Sequence, residues 1–342
     1  MAQAPISRRV TLRDIAERAG VSVSAVSMAL SDHARIGEQT KREIRAVAQE
    51  LGYVTNSAAR ALRAQRTGTL ALVVPNTGQH VFNHPYFMHL LDGVNEVVNE
   101  VDGTLLISTN PDERHGVAAY ERILRSRAAD GAIIASAAAD DPGVLRLLDS
   151  GVPVVLVGHY PRIPDAVAIG VADVDGGRAA TDHLVGHGAT RIATITGPHN
   201  HQTSIDRLEG FTRSLHAAGL EPVGIAEGDF GEESGRAATA ALLDEHSDMQ
   251  AIFVANDEMA YGALLELRAR GLDVPGDVRL VGYDDFGVSR LTTPALSTVT
   301  VPAVDVGRRA ARRLLDLIDR NVPEPRTETL PVSLTTRASC GC

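Results

Sequence analysis

Residues 11–30, TLRDIAERAGVSVSAVSMAL, constrain the fold more than any other stretch of the chain. Leu12, Ile15, Ala16 and Ala19 recur at the i, i+3, i+4, i+7 spacing of one helix face. Thr11 is placed to cap that helix, and Asp14 lies favourably in its first turn. Gly20 supplies the backbone freedom a sharp inter-helix turn needs, with Val21 positioned to fill the angle. Ser22 caps a second helix that buries Val26, Ala29 and Leu30 and turns Val23, Ser24, Ser27 and Met28 to the opposite face. A third helix is expected from about Glu38 to Leu51, with Ile44, Val47, Ala48 and Leu51 inward. Three short helices around one core over residues 10–52 make a helix-turn-helix domain.

An A-G-V-S turn also occurs in ordinary helical pairs, so charge bears on the choice. Residues 1–66 carry a formal charge of +5, whereas the remaining residues carry −15. A basic head on an acidic body is the asymmetry of a DNA-binding domain joined to a body that avoids DNA.

With 342 residues, 44% of them hydrophobic, the chain exceeds a single small core and suggests two or three domains. No run of about 18 apolar residues appears, so no membrane partner is expected. The start, MAQAPISRRVTL, lacks an apolar signal core, which leads to the expectation of a cytoplasmic protein.

Segment 53–68 is a hinge: Asn56 can cap a short helix to about Leu62, in which Ala58, Ala59 and Ala61 favour helix but bury little. That helix is expected to be marginal alone, with Arg60, Arg63 and Arg66 along it. Beyond it, apolar β-rich runs alternate with helical stretches. Strands are expected at 70–74, 104–108, 132–135, 154–157 and 167–171, and again at 191–196, 224–227, 251–255, 279–282 and 297–301. This alternation predicts an α/β class with two sets of parallel, doubly wound strands, and a ligand crevice at their carboxyl ends.

The helix-turn-helix, YVTNSAARALR, RLEGF (207–211), EGDF (227–230), FVANDEMAYGAL (253–264), VGYDDF (281–286) and LPVSL (330–334) occur in an order that resembles the lactose-repressor (LacI/GalR) family of bacterial transcription regulators. The resemblance runs from about Val10 to Arg337. It implies a homodimer that acts as a repressor by reading a pseudo-palindromic double-stranded DNA operator, and a core like periplasmic binding proteins at 69–337. Three chain crossings would divide that core into lobe 1, about 69–171 and 302–328, and lobe 2, about 172–300 and 329–337. A helix at about 304–319 would return to lobe 1. The end shortly after Arg337 leaves no heptad tail, which favours a dimer over a tetramer.

On the second helix Val23, Ser24 and Met28 match the family's base-reading positions in the major groove. The arginine common at the place of Met28 is absent, so a family operator sequence does not transfer. Leu12, Ser22, Ser27 and Thr40 join them as DNA-contact candidates, the serines and threonine through phosphates. Asn56, Arg60 and Leu62 complete the set; the family's leucine at that place wedges into the minor groove. Thr55 stands where a proline is frequent.

For the effector, Asp284 can accept two hydrogen bonds from vicinal hydroxyls, Arg207 offers a fork of fixed donors, and Asn256 can donate and accept. The resemblance adds Phe230 as a stacking floor, His201 and Thr203 as specificity positions, Tyr86 and Phe87 as an aromatic pair, and Asn76 after the first strand. Sugars lead as the effector class, nucleosides or purines next. Structural roles compete with each assignment: a helix cap for Asp284, an internal ion pair for Arg207, core for Phe230. Asp175 in DVDGGR is read as a helix cap.

An enzyme is the first alternative, yet no dinucleotide or phosphate-loop motif occurs and Lys41 is the only lysine. A free sugar-binding module is the second, and the DNA-binding head weighs against it. No catalytic residue, cofactor or metal is expected. His183 and His187 have i, i+4 spacing but lack the glutamate of H-E-x-x-H, and read as a surface helix. Cys340 and Cys342 lack a nearby histidine in sequence and read as frayed thiols.

Overall fold

The computed structural model describes residues 10–30, 33–53, 66–111, 117–126 and 128–342, and the chain divides into two compact units, Met1–Thr67 and Gly68–Cys342. The hinge candidates Asn56, Arg60 and Leu62, with Thr55, lie outside the described residues.

In the first unit, helices α1 (Leu12–Ala19), α2 (Val23–Leu30) and α3 (Glu38–Glu50) surround Ile15, Ala16, Val26, Ala29, Ile44 and Ala48. The α1 start is a capping box: the Asp14 amide donates to Thr11 Oγ1 and the Thr11 amide donates to Asp14 Oδ2 at 2.7 Å. Gly20 ends α1 at φ 67°, where a Cβ is disfavoured, and Val21 packs against the core. Ser22 Oγ accepts from the Ala25 amide at 3.1 Å and opens α2. Leu12, a DNA-contact candidate, packs on this core with its side chain partly covered.

The second unit holds two six-stranded sheets. The first comprises β1 (Thr69–Thr77), β2 (Thr104–Asn110), β3 (Gly131–Ala135), β4 (Val154–Val157), β5 (Val167–Val171) and β11 (Thr327–Leu330) in the order β11-β5-β4-β3-β1-β2. The second comprises β6 (Ile192–Thr196), β7 (Ile225–Glu227), β8 (Ala251–Val254), β9 (Arg279–Asp284), β10 (Ser297–Thr300) and β12 (Ser333–Thr335) in the order β12-β10-β9-β8-β6-β7. All neighbours pair in parallel except β10 with β12.

Each sheet is apolar on both faces because helices cover both. The Pro85–Glu100 and Ala303–Ile318 helices cover one face of the first sheet, and the Ala118–Ser126 and Pro142–Asp149 helices the other. On the second sheet the Glu232–Glu245 and Asp257–Ala269 helices face the Asp173–Gly186 and Gln202–Ala217 helices across the strands. The chain passes between sheets after β5, after β10 and between β11 and β12. That last passage falls at 331–332 rather than 328–329, because β11 pairs with β5 as far as Leu330 and Val171.

Two smaller expectations are corrected. Asp175 is not a helix cap: the helix begins at Asp173, and the Asp175 side chain is 70% exposed. Cys340 is not frayed, since it ends a short helical turn, Ala338–Cys340, and is fully buried among second-lobe side chains. No helix among the described residues is long and apolar enough to cross a membrane.

Candidate functional site

In the head, Ser22, Ser24 and Val23 are exposed on and before α2, Val23 at 44%, while Ser27, Met28 and Thr40 are half-buried. The face carrying Val23 and Ser24 is therefore available to a partner, and the helix keeps Val26 and Ala29 for its own core.

In the second unit a cleft lies at the carboxyl ends of the strands of both sheets, enclosing about 880 Å³ of atom-free space with its mouth included. Tyr86, Phe87, His201, Thr203, Arg207, Phe230 and Asp284 line it together, as the sequence leads one to expect. Asn76 and Asn256 do not line it. Asn76 sits in the extension of β1 beyond Val74. Asn256 caps the Asp257–Ala269 helix: its Oδ1 accepts from the Met259 amide at 3.0 Å, and its Nδ2 donates to the Phe230 carbonyl at 2.9 Å. Asn256 thus ties the start of this helix to Phe230 and, through Nδ2 at 3.2 Å from His84 Nε2, to the cleft wall.

The cleft floor is a buried charge cluster. Arg207 Nε donates to Asp173 Oδ1 at 2.8 Å, Nη1 donates to the Ala255 carbonyl at 2.5 Å, and Nη1 lies 3.7 Å from Asp284 Oδ1. The guanidinium also sits 3.7 Å above the centre of the Tyr283 ring. Burial opposes the Arg207 charge, but Asp173, Tyr283 and Asp284 outweigh it and raise its pKa. Burial lifts Asp173 above the ordinary carboxylate range and Asp284 well above it, with Arg207 opposing both shifts. Burial also raises the Tyr86 phenol, reinforced by Asp173 and Asp284, so it stays a neutral donor.

Backbone strain gathers here. Ser136, Phe230 and Asp284 all line the cleft with positive φ, at 57°, 70° and 112°. Such conformations persist where the surroundings over-determine them. The Phe230 ring occupies space beside Gly197, where a Cβ would lie 2.2 Å from it. His201 meets that ring edge-on at 6.0 Å between centroids. Across the cleft, His159 Nδ1 lies 2.8 Å from Asp206 Oδ2, and the Ala139 amide donates to the Asn200 carbonyl at 2.8 Å.

Sequence reasoning missed Asp173, Ser136, His159, Tyr160 and Gln202, all on the cleft wall. The signal for two of them was present: Gly158-His159-Tyr160 follows β4 immediately, at the strand end where ligands bind in such sheets.

Asp257, behind the cleft, accepts from Thr298 Oγ1 at 2.7 Å and from the Asp285 amide at 2.8 Å. Burial pushes its carboxyl up from 3.8 to about 7, against those two hydrogen bonds. The folded chain therefore retains this proton where the unfolded chain has released it, so its contribution to stability falls as pH rises from 3.8 to about 7. Asp257→Asn, neutral at every pH, is expected to be more favourable relative to the parent at pH 8 than at pH 5, by no more than about 3 kcal/mol, the part of the shift that lies between pH 5 and about 7. Urea unfolding of both proteins at the two pH values checks this; an equal difference at both removes the assignment.

Residues 11–56 match the family description "Bacterial regulatory proteins, lacI family", and residues 181–340 match a periplasmic binding protein-like domain. The transcriptional regulator CelR of Thermobifida fusca is 36% identical over 339 residues, covering 97% of this chain and 98% of CelR. A structure of a CelR–cellobiose complex superposes with a TM-score of 0.76 at 34% identity, covering 97% of this chain and all of that one. The lac repressor dimer bound to operator and an anti-inducer superposes with a TM-score of 0.87 at 27% identity, covering 97% and 99%. Helix-turn-helix head, two-sheet body and near-complete alignment agree: the chain belongs to the lacI family of bacterial regulatory proteins, DNA-binding transcriptional regulators and not enzymes.

Proposed function

We propose that this regulator is a cytoplasmic homodimeric repressor that binds a pseudo-palindromic operator and is controlled by a sugar in the cleft between its lobes. The observation that carries the effector reading is the buried Arg207–Asp173–Asp284 cluster facing Tyr86 and Phe230. Carboxylate oxygens accept from adjacent hydroxyls, the guanidinium fork donates to ring or hydroxyl oxygens, and the aromatic faces cover apolar ring carbons. A polyhydroxylated ring satisfies all three. The cellobiose bound by a full-length relative supports the same class.

Calorimetric titration of the full chain with a panel of mono- and disaccharides, set beside nucleosides and purines, tests this. One saccharide is expected to bind; binding by a purine alone would replace the sugar reading. Asp284→Asn is expected to weaken the effector by about 10–100-fold, the loss of a charge-assisted hydrogen bond, while effector-free operator affinity stays unchanged. Hydroxyls donating to Asp284 favour its ionised form, and burial favours the neutral one. Effector affinity therefore drops as pH falls, with proton release on binding that changes the measured heat between buffers.

For DNA, Val23 and Met28 supply apolar contact to thymine methyls and Ser24 pairs with a base edge, whereas Ser22, Ser27 and Thr40 hold phosphates. Met28→Arg is expected to redirect operator preference toward a guanine at the facing position without abolishing binding. Selection from a randomised operator library reads this out, and an unchanged consensus removes Met28 from base reading.

A further inference from the structure

Read separately, the His183/His187 pair and the Cys340/Cys342 pair each fall short of a metal site. Folding brings them together. One ligand atom from each of the four residues lies within 4.8 Å of the others. Cys342 Sγ is 3.4 Å from His183 Nε2 and 3.4 Å from His187 Nε2, and the two Sγ atoms are 3.0 Å apart. We propose that His183, His187, Cys340 and Cys342 bind a zinc ion in a closed, structural Cys2His2 site.

The donor chemistry fits this ion and coordination. Zinc takes thiolate and imidazole ligands tetrahedrally at about 2.0–2.3 Å, which separates the ligand atoms by roughly 3.3–3.8 Å. The two Cys342–histidine distances already lie in that range; the thiol pair must open by under about 1 Å, and pairs as wide as 4.8 Å must close by about 1 to 1.5 Å. The i, i+4 spacing places both imidazoles on one side of the Asp173–Gly186 helix end, with ring centroids 4.6 Å apart. Opposite them, the Ala338–Cys340 turn and Gly341 at φ 90° fold the second cysteine back beside the first. Ser297 Oγ donates to Cys340 Sγ at 2.9 Å, an outer hydrogen bond that orients the sulfur and stabilises a thiolate. Cys340 is buried, both histidines are half-buried and Cys342 is exposed, so the ion has an entry path from solvent.

The site stands apart from the effector cleft. Asp173 and His183 are ten residues apart on one helix, roughly 15 Å by helical rise. Zinc here ties residues 340–342 to a helix more than 150 positions earlier and so clamps the second lobe. Binding releases the thiol protons, two per ion when both thiols start protonated.

The test uses the full chain, purified with reductant and stripped by a chelator. Zinc competition against a chromophoric chelator is expected to give one ion per chain, and cobalt(II) is expected to give tetrahedral visible bands with a thiolate-to-cobalt charge-transfer band. Cys342→Ser, at an exposed position, and the double variant His183→Gln/His187→Gln are expected to weaken zinc roughly 100-fold or more. The double variant retains both thiols, and it is expected to lose the tetrahedral spectrum. No stoichiometric zinc, unchanged affinity in the variants, an octahedral cobalt spectrum without the thiolate band, or a Cys340–Cys342 disulfide that forms equally fast with zinc present would each overturn the proposal.

Discussion

Replacing Arg207 by alanine is expected to abolish effector binding and to destabilise the second unit by about 3–5 kcal/mol, the cost of breaking a buried ion pair from one side. The residue is 7% exposed and its side chain serves four neighbours at once: Asp173, Asp284, the Ala255 carbonyl and the Tyr283 ring. Truncation leaves two buried carboxyls that burial already drives toward their neutral forms, now without the cation that opposed that drift. Both would take up protons, which relieves part of the penalty at low pH and leaves the loss greatest at high pH. Arg207→Lys restores a charge without the planar fork, so it is expected to recover some stability while effector affinity stays at least tenfold weakened. Urea unfolding and calorimetry on the same preparations separate the two effects. An alanine variant as stable as the parent, with normal effector binding, would show that the cluster neither supports the lobe nor holds the ligand.

Gly177→Ala and Gly210→Ala are each expected to destabilise the same unit by about 1–3 kcal/mol, although alanine is the better helix former by roughly 1 kcal/mol. The Asp173–Gly186 and Gln202–Ala217 helices cross where these glycines meet. A Cβ on Gly177 would lie 2.2 Å from the Arg207 carbonyl oxygen, and one on Gly210 would lie 2.1 Å from the Val174 carbonyl oxygen. Neither contact is tolerable and both obstacles are backbone, so the helices must separate. Because Asp173 and Arg207 ride on opposite sides of this crossing, separation lengthens their 2.8 Å bond and loosens the cleft floor. Gly186→Ala is the control: it lies at the end of the first helix with nothing within 4 Å, and no loss is expected. Thermal unfolding of the three variants checks the order. Equal stability of all three would mean that the crossing accommodates side chains.

The same device recurs in the first lobe. Gly93 faces Val304 and Gly307 faces Leu90 across the Pro85–Glu100 and Ala303–Ile318 helices, each with a backbone oxygen where a Cβ would sit. Gly235 and Gly262 repeat it between the Glu232–Glu245 and Asp257–Ala269 helices, so close crossings on one face of the first sheet and both faces of the second are specified by glycines that a single-sequence pattern reads as weak helix.

How much was legible follows from the range of each interaction. The head helices are set by local capping and periodicity, and α1 and α2 run over Leu12–Ala19 and Val23–Leu30 as their spacing predicts. Fully buried strands such as Val154–Val157 announce themselves as unbroken apolar runs. β11 and β12 do not, since each is short, lies at a sheet edge and alternates with polar residues. In the cleft, Asp284 was legible as a carboxylate at a strand end, and Arg207 through the RLEGF string that resembles the family. Asp173 was not, because its selection over Asp175 depends on where the helix begins and on a partner 34 residues away. Asn256 shows another limit: sequence gives its amide as a free donor and acceptor, whereas the fold engages it with the helix start, the Phe230 carbonyl and His84. The histidine–cysteine cluster is the extreme case, assembled from segments that share no local pattern.

Fluorescence anisotropy of the full-length protein on its selected operator, with and without the saccharide found by calorimetry, addresses regulation as a whole. The expected result is sequence-selective binding whose affinity changes by about 5–150-fold on adding effector, the range of coupling between linked sites, with Arg207→Ala binding operator but no longer responding. Binding without preference among DNA sequences at moderate ionic strength, or operator affinity unmoved by a ligand that demonstrably occupies the cleft, would contradict it.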